Sequence, residues 1–364
     1  MRRLALIGAL TGAVLTASCT SSTARQRAAP PPAGSTAAGP SATSTAPTPT
    51  VSSPAPRTPS PRPTASAKPS APTTRKPDPI SVEALIQRDY DGRDLKVGRL
   101  LDDAGEYKRY LVTYRSEDLL ISGVMNVPDG KGPFPVLVLA HGYIEPDSYQ
   151  PGQGMRREQD YLARQGYVVL HTDYRGHAGS DDDDDVDYEL RLPYAVDVVN
   201  AVLAVKESGL DYLDGDRVGL FGRSMGGNVV LNALVAQPRL VDAAVVYAST
   251  SSLAADNYET FSDDDRALRR RIDRGYGLPE DSPGFWRAAS PRGYFDRVTE
   301  PVQLHHGTDD DTCPPEWSEK TLDALRDADK EAELFRYPGE GHTFYSQWQR
   351  SIERTERFFD EELD

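Results

Sequence analysis

Gly222-Arg223-Ser224-Met225-Gly226 follows the apolar run Arg217-Val218-Gly219-Leu220-Phe221 and opens a second apolar run. This puts a serine at a strand-to-helix turn with a glycine two residues to either side, the sequence form of a nucleophile elbow. A turn this tight forces strained backbone angles on Ser224 and leaves no room for side chains at the flanking positions. The glycines meet that demand and the serine hydroxyl is held up and exposed. Five residues alone carry little weight, because a glycine-rich strand end produces the same string without chemistry.

A serine hydroxyl becomes a nucleophile only with a base to take its proton and an acid to orient that base. In sites built on a strand-turn-helix elbow the chain order is serine, acid, histidine. Of the six histidines, only His305, His306 and His342 follow Ser224. The first two end an apolar run and read as core or strand-end residues. His342 stands in Tyr337-Pro338-Gly339-Glu340-Gly341-His342, a turn beyond the last apolar run, where an open parallel sheet places its site. Between Ser224 and His342, the stretch His306-Gly307-Thr308-Asp309-Asp310-Asp311-Thr312-Cys313-Pro314 offers three adjacent aspartates that spacing does not separate. Negative charge developing on an attacked carbonyl oxygen needs backbone N–H donors, and the residue after the nucleophile, Met225, supplies one from a helix N-terminus.

The elements that must position these residues are legible as apolar runs suited to buried strands. They fall at Tyr107–Tyr114, Leu119–Val127, Pro135–Ala140, Tyr167–Thr172, Arg217–Phe221, Asp242–Ala248, Pro301–His306 and Ala332–Tyr337. The first two, joined by Arg115-Ser116-Glu117-Asp118, suit an antiparallel hairpin. Later runs alternate with helix-length segments at Gln153–Gln165, Tyr188–Glu207, Met225–Gln237, Glu316–Asp329 and Phe344–Asp360. Alternation of this kind predicts an α/β domain: an eight-stranded, mostly parallel sheet covered on both faces. From Ser249 to Asp296 nearly fifty residues intervene before the next strand, too many for a plain connection. They read as a helical lid over the catalytic face, the alternative being a peripheral insertion on the sheet edge.

The two ends of the chain set limits on function. Residues 1–19 read as an export signal: Arg2 and Arg3, an apolar stretch from Leu4 to Leu15, then Thr16-Ala17-Ser18-Cys19. The small residues before Cys19 resemble a bacterial lipobox, which implies lipidation of the Cys19 thiol. The large aliphatic residue usual three positions before the cysteine is Thr16 here, and the alternative is an ordinary secretory signal. Residues 20–79 are mostly Ala, Ser, Thr and Pro, a disordered tether without the apolar residues to bury a core, leaving 80–364 as the catalytic domain. Residues 1–77 hold nine Arg or Lys and no acid, so the rest of the chain is nine charges more negative than the total of −15. That balance disfavours nucleic acid as a partner, and the expected membrane contact is a lipid at Cys19 alone. With Cys19 assigned to processing, Cys313 has no partner for a disulfide. The run Asp181–Asp185 reads as a solvated loop, with cation binding as its alternative. The chemistry calls for no cofactor and no metal.

Together the segments Gly-Arg-Ser-Met-Gly-Gly at 222–227, His-Gly-x-x-Asp at 306–310 and Gly-His at 341–342 resemble the catalytic domain of prolyl oligopeptidase-like α/β-hydrolases, over roughly Glu106 to the C-terminus. The resemblance implies Asp310 as the acid, with Asp309 the neighbour most easily mistaken for it. It also implies that His141-Gly142-Tyr143 is the oxyanion loop, with the Tyr143 N–H as second donor, and it matches Asp173-Tyr174-Arg175-Gly176 to a Tyr-Arg-Gly segment. Peptidases of this family carry a β-propeller before this domain, and only about 27 residues separate the tether from the first predicted strand. The expectation is therefore a serine esterase with the triad Ser224, Asp310 and His342, acting on a small ester. The in-class alternative is a peptidase or amidase acting on short peptides. The alternative from another class is a catalytically silent surface-binding module.

Overall fold

A computed structural model describes residues 76–262 and 265–364, so the expectations for the signal segment, Cys19 and nearly all of the tether lie outside the described residues. Nine strands form one sheet: β1 (Arg93–Asp103), β2 (Tyr107–Ser116), β3 (Leu119–Pro128), β4 (Phe134–Ala140), β5 (Val168–Thr172), β6 (Leu213–Arg223), β7 (Ala243–Tyr247), β8 (Val302–Gly307) and β9 (Ala332–Tyr337). Their order is β1-β2-β3-β5-β4-β6-β7-β8-β9. The pairs β1-β2, β2-β3 and β3-β5 are antiparallel and the remainder parallel.

The expected eight strands are all present, and β1 is a ninth. It went unread because its sequence, Arg-Asp-Leu-Lys-Val-Gly-Arg-Leu-Leu-Asp-Asp, lies at the sheet edge and buries only Leu95. An edge strand with little to bury writes no apolar pattern.

The central strands read as unbroken apolar runs because both faces are covered. Val136, Val138 and Ala140 of β4 face a core shared with α3 (Pro193–Glu207) and α4 (Met225–Ala236). Leu137 and Leu139 face the opposite core, filled by Leu162 of α2 (Arg156–Arg164) and by Ile352 and Phe359 of α9 (Trp348–Leu363). Alternate residues thus serve alternate helical layers. Each of these cores buries large aliphatic and aromatic side chains, at about 1.5–3 kcal/mol apiece.

Three helices begin later than their apolar pattern suggests, for local reasons. Gly154 and Met155 have φ of 85° and 49°, delaying α2, while Leu190 and Arg191 have φ of 53° and 60°, delaying α3 until Pro193. Before α9, the Glu340 carboxylate accepts the N–H of Tyr345 and Gln347 and holds the chain in a loop.

The stretch between β7 and β8 carries α5 (Ala254–Phe261), α6 (Arg266–Tyr276), α7 (Pro283–Ala288) and a 3-10 segment at Pro291–Arg297. They enclose a small core of Tyr258, Ile272 and Trp286. They dock on the loop after β5 by stacking Tyr276 on Tyr188 at 4.8 Å and by an Arg271–Asp185 ion pair at 2.5 Å. The remaining helices are α1 (Val82–Ile86), too short for a periodic signal, and α8 (Pro315–Asp327).

Candidate active site

The chain runs from β4 to β5 on one side of the sheet and then crosses to β6 on the other side of β4. That reversal opens a crevice beyond the carboxyl ends of β4 and β6, the usual ligand position in an open α/β sheet. Ser224 stands there, between the last residue of β6 and the first of α4, with φ 57° and ψ −124°. Holding a non-glycine residue in this region costs of order 1–3 kcal/mol. A Cβ on Gly226 would lie 1.9 Å from the Ala140 carbonyl oxygen, and one on Gly222 would lie 2.3 Å from that of Gly226. The Ser224 N–H donates to the Tyr247 carbonyl at 2.9 Å, fixing the turn to β7.

His342 lies in the loop after β9, and its Nε2 is 3.0 Å from Ser224 Oγ. Its Nδ1 donates to Asp310 Oδ2 at 2.9 Å. With that proton on Nδ1, Nε2 is left as the acceptor for the serine hydroxyl.

The three aspartates that spacing could not separate are separated by burial: Asp310 is buried and Asp309 and Asp311 are exposed. Asp310 Oδ1 accepts the N–H of Thr312 and of Cys313, both at 2.9 Å. Its Oδ2 also lies 3.1 Å from His306 Nε2. Burial alone would raise its proton affinity. The hydrogen bonds from His306, His342 and the Cys313 N–H outweigh that and hold the carboxyl well below the usual carboxylate range.

His306 is therefore more than the strand-end residue expected of it. Its Nδ1 accepts from Ser318 Oγ at 2.6 Å, which turns Nε2–H towards Asp310 and the Cys313 carbonyl, 2.9 Å away. The signal was available, since His306 opens the same His-Gly-x-x-Asp string. His305 keeps its expected core role, buried between the Tyr337 hydroxyl and the Gln303 side chain at 2.7 and 2.6 Å.

The loop after β4 passes beside Ser224: a Cβ on Gly142 would come within 3.0 Å of Ser224 Cβ and 3.5 Å of Oγ. Tyr143 follows directly, and Met225 opens α4, where the first N–H groups have no intrahelical acceptor. Arg191 spans the side chains of both, with its guanidinium 4.4 Å from the Tyr143 ring centroid and Nη1 3.7 Å from Met225 Sδ. Behind the loop, buried His141 stacks on Tyr149 and His171 at 4.9 and 5.3 Å. Burial pushes the His141 imidazole down to about 3 and His171 well below its ordinary value.

The Tyr-Arg-Gly segment braces this wall. Arg175 forms a buried two-pronged pair with Asp197 of α3, at 3.0 and 2.8 Å. In the acidic run, Asp181 accepts the Leu120 N–H at 2.7 Å, Asp183 pairs with Arg175 at 2.9 Å and Asp185 with Arg271. Three of its five carboxylates thus have protein partners. Among the described residues no group of three or more His, Cys, Asp or Glu is arranged to hold a metal ion.

Sheet order, crevice and elbow define an α/β-hydrolase fold. The model of the prolyl oligopeptidase family of peptidases matches residues 153–364, and the chain belongs to that family. Two Bacillus subtilis proteins are similar in sequence. The uncharacterized peptidase YuxL is 28% identical over 64% of this chain and 35% of its own length. The uncharacterized peptidase YtmA is 24% identical over 67% of this chain and 90% of its own length. The chain therefore spans about a third of the first relative and most of the second.

Among solved structures, acetyl xylan esterase 1 from Thermoanaerobacterium is similar with a TM-score of 0.59 and 18% identity, over 79% of this chain and 95% of that one. The acylaminoacyl peptidase of Pyrococcus horikoshii gives a TM-score of 0.56 and 22% identity, over 72% and 43%. At these identities the likeness establishes the fold.

Proposed function

We propose that the protein is a serine hydrolase that cleaves carboxylic esters through an acyl-enzyme on Ser224. The observation that carries this is the continuous line of hydrogen bonds from Ser224 Oγ through His342 to Asp310, at 3.0 and 2.9 Å. As Oγ attacks the substrate carbonyl carbon, His342 Nε2 takes the hydroxyl proton. The carbonyl oxygen becomes an oxyanion received by the N–H groups of Met225 and Tyr143; losing one such donor typically costs about 3 kcal/mol. Asp310, held ionised, steadies the imidazolium. The imidazolium then gives its proton to the departing alkoxide, and water repeats the sequence in reverse to release the acid.

Ester cleavage stands first on two grounds. The esterase neighbour is matched over 95% of its length and the acylaminoacyl peptidase over 43% of its own, against which YtmA, a peptidase by name, is matched over 90% of its own. An amide also asks more of a site, because its leaving amine must be protonated as it departs, which demands close placement. Peptide cleavage is the second reading, favoured by the peptidase names of both bacillar relatives. The helical insertion serves as one wall or lid, since it leaves the carboxyl end of β7 and docks on the loop after β5.

The deciding experiment is a substrate panel on the purified protein. Short-chain p-nitrophenyl esters should be turned over with kcat/KM well above that of any aminoacyl or dipeptidyl anilide. An anilide that matches the best ester would put the peptidase reading first.

Outside the described residues, the segment 1–19 supports export with a lipid on Cys19. Cys19→Ser in the full-length chain should move the protein from the membrane fraction to the medium. Unchanged partitioning would remove the lipid anchor from the account.

A further inference from the structure

The loop that carries His342 lies outside any helix or strand, between β9 and α9, yet the imidazole must stay within about 3 Å of a serine held on a rigid elbow. One side chain joins the two directly. Arg223 precedes Ser224, and its Nη2 donates to the backbone carbonyl of His342 at 3.1 Å. Its Nη1 donates to Glu158 Oε1 on α2 at 3.3 Å, and the same oxygen accepts Trp348 Nε1 at 2.9 Å. Glu158 is only 1% exposed and Arg223 13%. A carboxylate so buried requires nearby cations, and Arg223 is the nearer of two, with Arg157 Nη2 3.9 Å from the same oxygen, which favours the guanidinium's position. Next to Glu158, Arg157 donates to the Phe344 carbonyl at 2.8 Å and lies over the Trp348 ring at 4.9 Å. Helix α2 thus grips the C-terminal half of the histidine loop and the start of α9, and Arg223, the neighbour of Ser224, links that grip to the His342 backbone.

Resting on the reading of Ser224 and His342 as nucleophile and base, we propose that Arg223 is a positioning residue that sets the distance between them, anchored by Glu158. It touches no substrate. The elbow motif leaves this position open, but a planar guanidinium reaches two acceptors at a fixed angle, which an ammonium cannot. A displacement of about 1 Å in a catalytic group costs on the order of 10²-fold in rate, so the effect belongs in kcat and not in KM.

The test is steady-state kinetics on p-nitrophenyl acetate for Arg223→Met, Arg223→Lys, the double variant Arg223→Met with Glu158→Gln, and Ser224→Ala. Arg223→Met should lose on the order of 10²-fold in kcat with KM within about threefold. Arg223→Lys should recover about tenfold of that, because lysine keeps the charge beside Glu158 but, with its donors on one nitrogen, cannot span both acceptors. The double variant leaves no buried carboxylate without its cation; it should retain the wild-type near-UV circular dichroism and stay as slow as Arg223→Met. A double variant with near-wild-type kcat, or one changed in KM alone, overturns the proposal. So does a double variant that fails to fold, since Arg223 would then serve the fold and not the placement of His342. Ser224→Ala separates the two levels: if it keeps wild-type turnover, the nucleophile reading itself fails. If it is inactive while the double variant is fast, only the role of Arg223 falls.

Discussion

The two walls of the crevice are built differently. On the side of β8 and β9, the Asp310 carboxylate is buried and accepts from His306, His342 and two backbone N–H groups. On the side of β4 and β5, the surface is exposed: half of Tyr143 is open to solvent, with Arg191 above it and the Arg271–Asp185 pair beyond. Exposed ion pairs such as Arg271–Asp185 are screened by water and hold little, whereas a buried charge that loses a partner is costly. The Asp310 wall is therefore fixed, and under the proposed chemistry the rim is where substrate preference can vary. Behind the rim lies a third material, the buried stack of His141, Tyr149 and His171, which is rigid but sensitive to protons.

The comparison can be broken first on the Asp310 wall. His342→Ala should lower kcat by several orders of magnitude, and Asp310→Asn by about 10³- to 10⁴-fold, because a triad acts as a unit. Asp309→Asn and Asp311→Asn, both exposed, should stay within about threefold of wild type. A reversed ranking of the three aspartates would undo the assignment of the acid.

A smaller effect, on stability, belongs to the other wall. His141 and His171 are neutral in the fold, with folded values near 3 and well below 6.5 respectively, whereas in the unfolded chain they titrate at the ordinary value. For His141 the unfolded state binds the additional proton between about 6.5 and 3, and for His171 it does so from about 6.5 downwards. The stability that neutral His141 contributes is therefore complete above that window and falls as pH drops, by about 1.4 kcal/mol per pH unit, and His171 acts in the same direction. His171 is fully buried, and burial is the main cause of its lowered proton affinity. His171→Phe, which removes one of these titrating groups, should reduce the decline of the thermal midpoint between about pH 6.5 and 4. A steeper decline in that variant would contradict the account of this wall.

What the sequence disclosed follows the same division. Central strands, elbow, histidine turn and helical insertion were legible because a buried sheet and a tight turn each demand particular residues in a particular order. Edge strand β1 was hidden, since it buries almost nothing. The choice among Asp309, Asp310 and Asp311 needed family resemblance, because local spacing says nothing about which carboxylate turns inward. The contacts of Arg223 with Glu158 and the His342 carbonyl join residues 65 and 119 apart in the chain. Nothing in a single sequence marks pairs so distant. His306 was in view within its motif, but an apolar neighbourhood made it read as core.

The central claim is that Ser224 is the nucleophile and that His342 activates it. Its most direct test is reaction with a fluorophosphonate followed by peptide mass mapping, which traps an activated serine without reference to the natural substrate. The account predicts one adduct per chain, located on Ser224, absent in Ser224→Ala and strongly slowed in His342→Ala. Stable hydrolytic activity with no adduct on Ser224, or labelling that is unchanged in His342→Ala, would contradict it.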